Sequence, residues 1–185
     1  MTLRSALRRS IRASRTRSTA ALWSKSLLNA VLFFAVFMVA LPGLAHRLVP
    51  VALPIPDALR VFPAGVLFGV GILAWLACLD VFSRRGRGTP LPMDAPRNLV
   101  TGGLFSVVRN PIMAAELLVI WAEALYLANL GVLLYAASIS AAAHLLVVHV
   151  EEPELRERFG ESYERYCQKV PRWLPRMRRP VRDGH

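Results

Sequence analysis

Apolar residues in this chain gather in four long runs, not in the short alternating patterns of a water-soluble sheet. The first covers about residues 27–41 and extends to 49 with Pro42 and Gly43 as a kink. The second covers about 59–82, the third follows Pro111 to about 128, and the fourth covers about 130–150. A hydrocarbon core about 30 Å thick takes roughly 20 apolar residues of helix, so each run is a candidate span. Only Ala128, Asn129 and Leu130 join the third run to the fourth, which predicts a tight antiparallel helical hairpin. Beyond Glu151 the pattern changes. Leu155, Phe159, Tyr163, Tyr166 and Val170 recur every three or four residues, the period of an amphipathic helix. Opposite them, Glu154–Arg158 and Glu161–Arg165 are i,i+4 pairs, and Gly160 divides the stretch into two short helices. The expected fold is all-α: a polytopic membrane helical bundle of about four transmembrane helices followed by a C-terminal amphipathic helical segment.

Charge gives the orientation. The 185 residues carry 23 Lys+Arg against 12 Asp+Glu, a formal net charge of +11, yet 55% of them are hydrophobic and only 19% charged. That hydrophobicity excludes a disordered chain, and two distant cysteines, Cys78 and Cys167, exclude a disulfide scaffold. A basic chain suggests nucleic acid, but the charges sit at the edges of the apolar runs. Seven lie in residues 1–26, five in 83–111, nine from 151 onward and none in the turn at 129–130. The positive-inside rule then places both termini and the 83–111 segment in the cytoplasm. The expected partner is the lipid bilayer, with no nucleic acid. The organisation that follows is a basic cytoplasmic tail (1–26), two transmembrane helices (27–82), a Gly/Pro-rich cytoplasmic loop (83–110), a transmembrane hairpin (111–150) and a cytoplasmic tail (151–185). The membrane is the inner membrane in a bacterium or the endoplasmic reticulum in a eukaryote. The Arg- and Ser-rich first 25 residues also fit an organelle transit peptide. No cleavable signal peptide is evident, because the first apolar run lies far in and continues as a span.

Unusual chemistry collects at the cytoplasmic ends of the last two spans. Pro111 suits the first position of a helix, and Asn110 before it suits an N-cap. Helix starts attract anions, and Arg109 beside this one can grip a carboxylate with two parallel hydrogen bonds. Taken alone, these residues also describe a capped transmembrane helix with a topological arginine. Glu151 and Glu152 are adjacent carboxylates at the exit of the fourth span. They suit the first turn of the following helix, and equally a cationic or polyhydroxyl ligand. Val170-Pro171-Arg172-Trp173-Leu174-Pro175 is incompatible with helix and reads as a strap, or as an interfacial Trp anchor. Within the spans, Asp80, Glu116, Glu123, His144 and His149 are costly in hydrocarbon and face a bundle interior or a wet cavity. Glu116 is placed to act as a base, whereas Glu123 reads as one half of a Glu–His or Glu–Arg pair locking two helices. Gly65 and Gly69 form a close-packing face, structural or a homodimer contact. No His/Cys/acid set has metal-ligand spacing, and no P-loop, dinucleotide fingerprint or nucleophile elbow is present.

The ordered set is recognisable. Leu99-Val100-Thr101-Gly102-Gly103, then Arg109-Asn110-Pro111, then Glu151-Glu152-Pro153 through Leu155, Phe159-Gly160, Tyr163, Tyr166 and Val170-Pro171-Arg172-Trp173-Leu174-Pro175 resembles one group. It is similar to the integral-membrane methyltransferases that include isoprenylcysteine carboxyl methyltransferase and the phospholipid (phosphatidylethanolamine) N-methyltransferases. The resemblance covers residues 99–175. It implies S-adenosyl-L-methionine as cofactor, held in a cytoplasm-facing pocket between the last spans and a tail that covers it. Carried over by position, Gly103, Arg109, Asn110, Pro111, Glu151, Glu152, Tyr163, Tyr166, Pro171 and Arg172 are the implied cofactor-binding residues; Arg109 and Asn110, together with Glu116 from its own place one turn into the third span, are the candidate catalytic ones. Three positions depart from the family pattern. Asn110 stands for a His and cannot carry a proton, Met113 stands for a Tyr, and Leu104-Phe105-Ser106 stands for Pro-Tyr-Arg.

Sequence therefore points to a membrane methyltransferase acting on a lipid-like or prenylated acceptor: an isoprenylcysteine carboxylate, a phospholipid amine or a small hydrophobic metabolite. Two other classes stand beside it. One is a catalytically inactive membrane adaptor of the same fold, motivated by Asn110 and Met113. The other is a small transporter, motivated by the intramembrane Glu and His residues.

Overall fold

A computed structural model describes residues 28, 31–32, 34–81 and 98–175 of the chain. The expected basic tail, most of the 83–110 loop and the last ten residues lie outside the described residues. What is described is helical, with one isolated antiparallel bridge between Ala52 and Asn129. The helices are α1 (Leu41–Leu48), α2 (Asp57–Val81), α3 (Pro111–Leu127), α4 (Leu130–Leu146), α5 (Glu152–Phe159) and α6 (Glu161–Lys169).

Two wide π-helical turns interrupt this order, Val36–Ala40 before α1 and Val147–Glu151 between α4 and α5. Each precedes a proline, Pro42 and Pro153. Proline has no N–H to donate, and its ring crowds the carbonyl four residues back. Widening the preceding turn relieves that clash, so the Leu41 N–H bonds to the Val36 carbonyl and the Glu152 N–H to the Val147 carbonyl. The chain thus stays helical through Pro42 and Gly43, as the extended form of the first run predicts. It also continues unbroken from the fourth run into the tail.

Helices α2 and α3 share the most extensive contact, α1 packs on α4, and α3 pairs with α4. On α2 the buried residues Ala64, Gly71 and Cys78 are seven apart, a single seam facing α3. Gly71 sets the closeness of that seam. A Cβ there would lie 2.8 Å from Val119 Cγ2 and 3.0 Å from the Ala115 carbonyl oxygen. Gly131 does the same for α1 and α4, because a Cβ on it would collide with the Ala45 carbonyl. The core between them holds Met38, Val119, Ile120, Ala124, Val132 and Ala136.

Two helical stretches are long and apolar enough to cross a membrane, Asp57–Val81 and Leu130–Phe159. Only 17% of the apolar window in the first is buried, so it is not the core helix of a water-soluble protein. Its outer face shows Leu59, Phe62 and Leu73, a large apolar patch in water but an ordinary surface in hydrocarbon. Helix α3, 17 residues long and apolar apart from Glu116 and Glu123, packs against both.

At one end of the bundle, α3 turns into α4 over Ala128 and Asn129, with Ala128 left-handed at φ 45°. The extended connector before α2 seals that turn. Leu53 N–H donates to the Ala128 carbonyl at 2.6 Å and Leu130 N–H to the Val51 carbonyl at 2.9 Å. Arg60 donates to the Tyr126 carbonyl at the end of α3 and pairs with Asp57. At the other end, Gly160 (φ 51°) separates α5 from α6, as expected, and the chain after Lys169 leaves helix to form the strap. Tyr163, Tyr166 and Val170 bury there against Leu99, Leu155 and Phe159.

Candidate active site

The start of α3 is reached through a short 3-10 turn, Gly103–Ser106, that reverses the chain. Gly103 opens it at φ 63°, a conformation suited to glycine, and a Cβ there would come within 3.0 Å of Val81 at the end of α2. Val107 and Val108 then bond back to the Leu104 carbonyl at 3.0 and 3.1 Å. Pro111 begins the helix, as predicted, but Asn110 does not cap it with its side chain. Its ψ of 58° is outside the extended backbone an N-cap uses. The Asn110 side chain is turned elsewhere: Asn110 is 7% exposed, and its Nδ2 has no hydrogen-bond partner among the described residues. Arg109 Nε is buried and unpartnered in the same way.

The rest of Arg109 is fully engaged. Its backbone N–H donates to the Pro171 carbonyl at 2.8 Å, one terminal nitrogen to the Cys167 carbonyl at 3.4 Å, and the other to Glu152 Oε1 at 2.9 Å. One residue thereby ties the start of α3 to α6, to the strap and to the first turn of α5.

Glu152 is the hub of this end. It is 2% exposed and lies just past the apolar stretch that closes at Val150. Arg172 grips it with a fork, Nε to Oε1 at 2.6 Å and the terminal nitrogen to Oε2 at 2.9 Å. Arg156, one turn along α5, reaches Oε2 at 3.5 Å while also bonding Glu164 at 2.9 Å. Burial alone would raise the Glu152 pKa. The Arg172 hydrogen bonds and the charges of Arg109, Arg172 and Arg156 outweigh it, holding the carboxyl below its ordinary range. Three guanidinium groups surround the Glu152 carboxylate, one of them shared with Glu164.

The tail tyrosines line the same neighbourhood from below. Tyr163 is 1% exposed, and the Tyr166 hydroxyl donates to the Phe105 carbonyl at 2.5 Å, joining α6 to the 3-10 turn. Burial pushes both phenols above their ordinary pKa. Trp173 docks the strap onto α4, its indole N–H donating to His144 Nδ1 at 3.0 Å.

A second, acidic group faces this cluster. Glu116, one turn into α3, is partly buried and accepts a hydrogen bond from the Trp75 indole N–H of α2 at 3.2 Å. Glu123, two turns further along α3, has no His or Arg partner among the described residues, contrary to the expected helix-locking pair. The structure therefore brings Arg109, Asn110, Pro111, Glu152, Tyr163, Tyr166, Pro171 and Arg172 into one region. Glu116 sits further along α3 from Pro111, Glu151 precedes Glu152 in the chain, and Gly103 stands at the edge of the region. Trp75 and Arg156 are the residues that sequence reasoning passed over. Arg156 was legible as the i,i+4 neighbour of Glu152; Trp75 carried no signal beyond its place four residues after Gly71 on the α2 seam.

Two comparisons with known proteins bear on the family. The model of a family described as phospholipid methyltransferase matches residues 59–162, which is 104 of the 185 residues. Methanethiol S-methyltransferase 2 of Bradyrhizobium diazoefficiens is 33% identical to this chain over 62% of its length. The matched region is 47% of that relative, so the chain spans about half the length of the curated protein it matches.

Proposed function

This chain belongs to the phospholipid methyltransferase family, and on that premise we propose that it is a membrane methyltransferase using S-adenosyl-L-methionine on a neutral nucleophile, with a small thiol as the first acceptor to test. The observation that carries the proposal is the pair of buried, unpartnered donors at the start of α3, Arg109 Nε and Asn110 Nδ2. A buried donor left unmade costs about 1–3 kcal/mol, so native proteins rarely keep two side by side without a ligand to accept from them. The cofactor's carboxylate is an acceptor of the right kind for a helix start beside an arginine. Its ammonium and ribose find a counterpart in Glu151, the acid of the pair that the arginines leave unclaimed. When bound, the cofactor supplies a methyl group on a positively charged sulfur that departs as a neutral thioether.

Everything else falls to the chain's own residues. Arg109 and Asn110 orient the cofactor through its carboxylate. Glu152 does not reach for it; it holds Arg109 and Arg172 in place, so that the strap from Pro171 to Trp173 covers the site and excludes water. Dry surroundings favour a transition state in which charge is being lost. Glu116 takes the proton that a neutral acceptor must surrender as it is methylated. Holding the two reactants in line is the larger share of the work.

The thiol acceptor rests on the activity for which the relative is named and on the apolar neighbourhood, where Met113 replaces the tyrosine of the family pattern. A phospholipid amine is the second reading. It is favoured by the family description and would also need Glu116, whereas an isoprenylcysteine carboxylate needs no base. The remaining elements complete the proposal: α3 and the helix through α1 cross the bilayer beside the two longer spans, giving four. Both termini face the cytoplasm, with the 1–26 tail fixing topology and the 151–185 tail covering the cofactor.

Protein reconstituted in lipid nanodiscs and given methyl-labelled cofactor provides the test, with methanethiol, phosphatidylethanolamine vesicles and a prenylcysteine offered separately. The expected result is labelled dimethyl sulfide that Arg109→Ala abolishes. Absence of both product and cofactor binding would make the inactive adaptor the better reading. Solute flux through liposomes that depends on Glu116 or Glu123 and ignores the cofactor would favour the transporter.

A further inference from the structure

Glu116 has two oxygens, and the structure treats them differently. Oε1 accepts from the Trp75 indole N–H at 3.2 Å, while Oε2 has no hydrogen bond among the described residues. Trp75 is itself held in place. The Phe34 ring meets it edge-on, with centroids 5.3 Å apart and planes at 87°. One turn earlier on the same face of α2, Gly71 allows that helix to touch α3 at Ala115 and Val119, flanking Glu116 along α3. The distance from the indole nitrogen to the carboxylate is therefore fixed by backbone packing and does not depend on side-chain chance. A buried indole N–H needs an acceptor, but a main-chain carbonyl or a hydroxyl would serve at far less cost than a carboxylate in an apolar bundle.

We infer that Trp75 is a positioning residue for proton transfer, holding Oε1 of Glu116 so that Oε2 is presented to the acceptor. The inference rests on the proposed function, in which Glu116 accepts the proton of a thiol. In that step the S–H bond breaks and an O–H bond forms at Glu116 Oε2; the electron pair left on sulfur makes the new bond to the methyl carbon as the methyl–sulfonium bond breaks, its electrons leaving with the neutral thioether. A freely rotating carboxylate would offer either oxygen in many orientations. One pinned by Trp75 offers a single oxygen in a single direction, and misplacement by about 1 Å costs up to about 100-fold in rate.

A purely structural Trp75–Glu116 lock between α2 and α3 makes a different prediction, and acceptor acidity separates the two. Trp75→Phe keeps the ring against Phe34 and removes the donor. With an alkyl thiol, protonated at neutral pH, the variant is expected to lose about 10- to 100-fold in kcat, with cofactor affinity by calorimetry unchanged. With an aryl thiol that is already ionised at the assay pH, no base is required, and the variant should run within about twofold of the parent. Equal slowing with both thiols, or no slowing with either, overturns the inference. Glu116→Gln is run beside it. If that variant keeps full rate with the alkyl thiol, the base assignment fails and this inference with it. If it loses activity while Trp75→Phe does not, only the positioning role fails. Should Trp75→Phe not fold, Trp75→His retains a ring N–H and must show the smaller defect with alkyl thiol and none with aryl thiol; a defect equal for both again overturns it.

Discussion

Two asparagines stand at matching places in this molecule, each the residue before a helix of the same hairpin and each almost fully buried. Asn129, before α4, has extended backbone at φ −122°, ψ 133°, and its Oδ1 accepts from the Val132 N–H at 3.1 Å. Its Nδ2 donates to the Val51 carbonyl at 3.3 Å, and the neighbouring backbone pairs with the same connector. Asn110, before α3, has a similar φ of −120° but a ψ of 58°, makes no cap, and leaves Nδ2 unpartnered beside an unpartnered Arg109 Nε. The same residue type at the same helix position has its bonding capacity spent at one end and left open at the other, and the open end is the one proposed to hold the cofactor. One end of the bundle is closed chemically, and the other is built around groups that still lack an acceptor.

The contrast can be broken most severely at the hub of the functional end. Glu152→Ala strands Arg109 and Arg172 around a buried site, and breaking such a pair costs about 3–5 kcal/mol. The expected readout is protease cleavage after Gly160 and loss of cofactor binding, with the α3–α4 hairpin intact. The linkage has a definite sign. The Glu152 carboxyl is held low in the folded state, so its contribution is complete above the unfolded value of about 4.3 and is lost as pH falls through the folded value. Strap protection should persist at pH 5 and disappear only in stronger acid. Next in size, Arg109→Ala should weaken cofactor binding by about 1.5–3 kcal/mol through loss of a charged hydrogen bond; calorimetry reads this directly. At the closed end, Gly131→Ala drives a methyl into the Ala45 carbonyl, and overpacking of this kind costs about 1–3 kcal/mol. It should lower thermal stability in detergent without changing cofactor affinity per folded molecule. The smallest effect is the most informative about the comparison. Asn129→Ala should cost about 1 kcal/mol of stability, as the loss of an N-cap does, and leave binding alone.

How much of this was legible follows from how local each feature is. The hairpin turn, the break at Gly160, the Glu154–Arg158 and Glu161–Arg165 pairs and the buried stripe of the tail are set by neighbours a few residues apart, and all appear as read. Pro42 and Pro153 announced departures from regular helix, but the wide turns that absorb them depend on packing. The candidate site was legible as a set of residues, not as an arrangement. Glu152 read as a ligand for the cofactor because its partners Arg109 and Arg172 are 43 and 20 residues away in the chain. Only the fold shows that they occupy it. Asn110 read as a cap because Asn-Pro is a helix-start signal, and nothing in that dipeptide reports a ψ of 58°. Trp75 and Glu116 are 41 residues apart, and no periodicity links them.

The most direct test is calorimetric titration of S-adenosyl-L-methionine into detergent-purified protein, comparing the parent with Asn110→Ala and Asn129→Ala. The predicted result is saturable binding to the parent, weakened at least severalfold by Asn110→Ala with thermal stability unchanged, and unaltered by Asn129→Ala despite its lower stability. Equal binding by the parent and Asn110→Ala, or no binding to a folded parent, would contradict the assignment of the unpartnered end as the cofactor site.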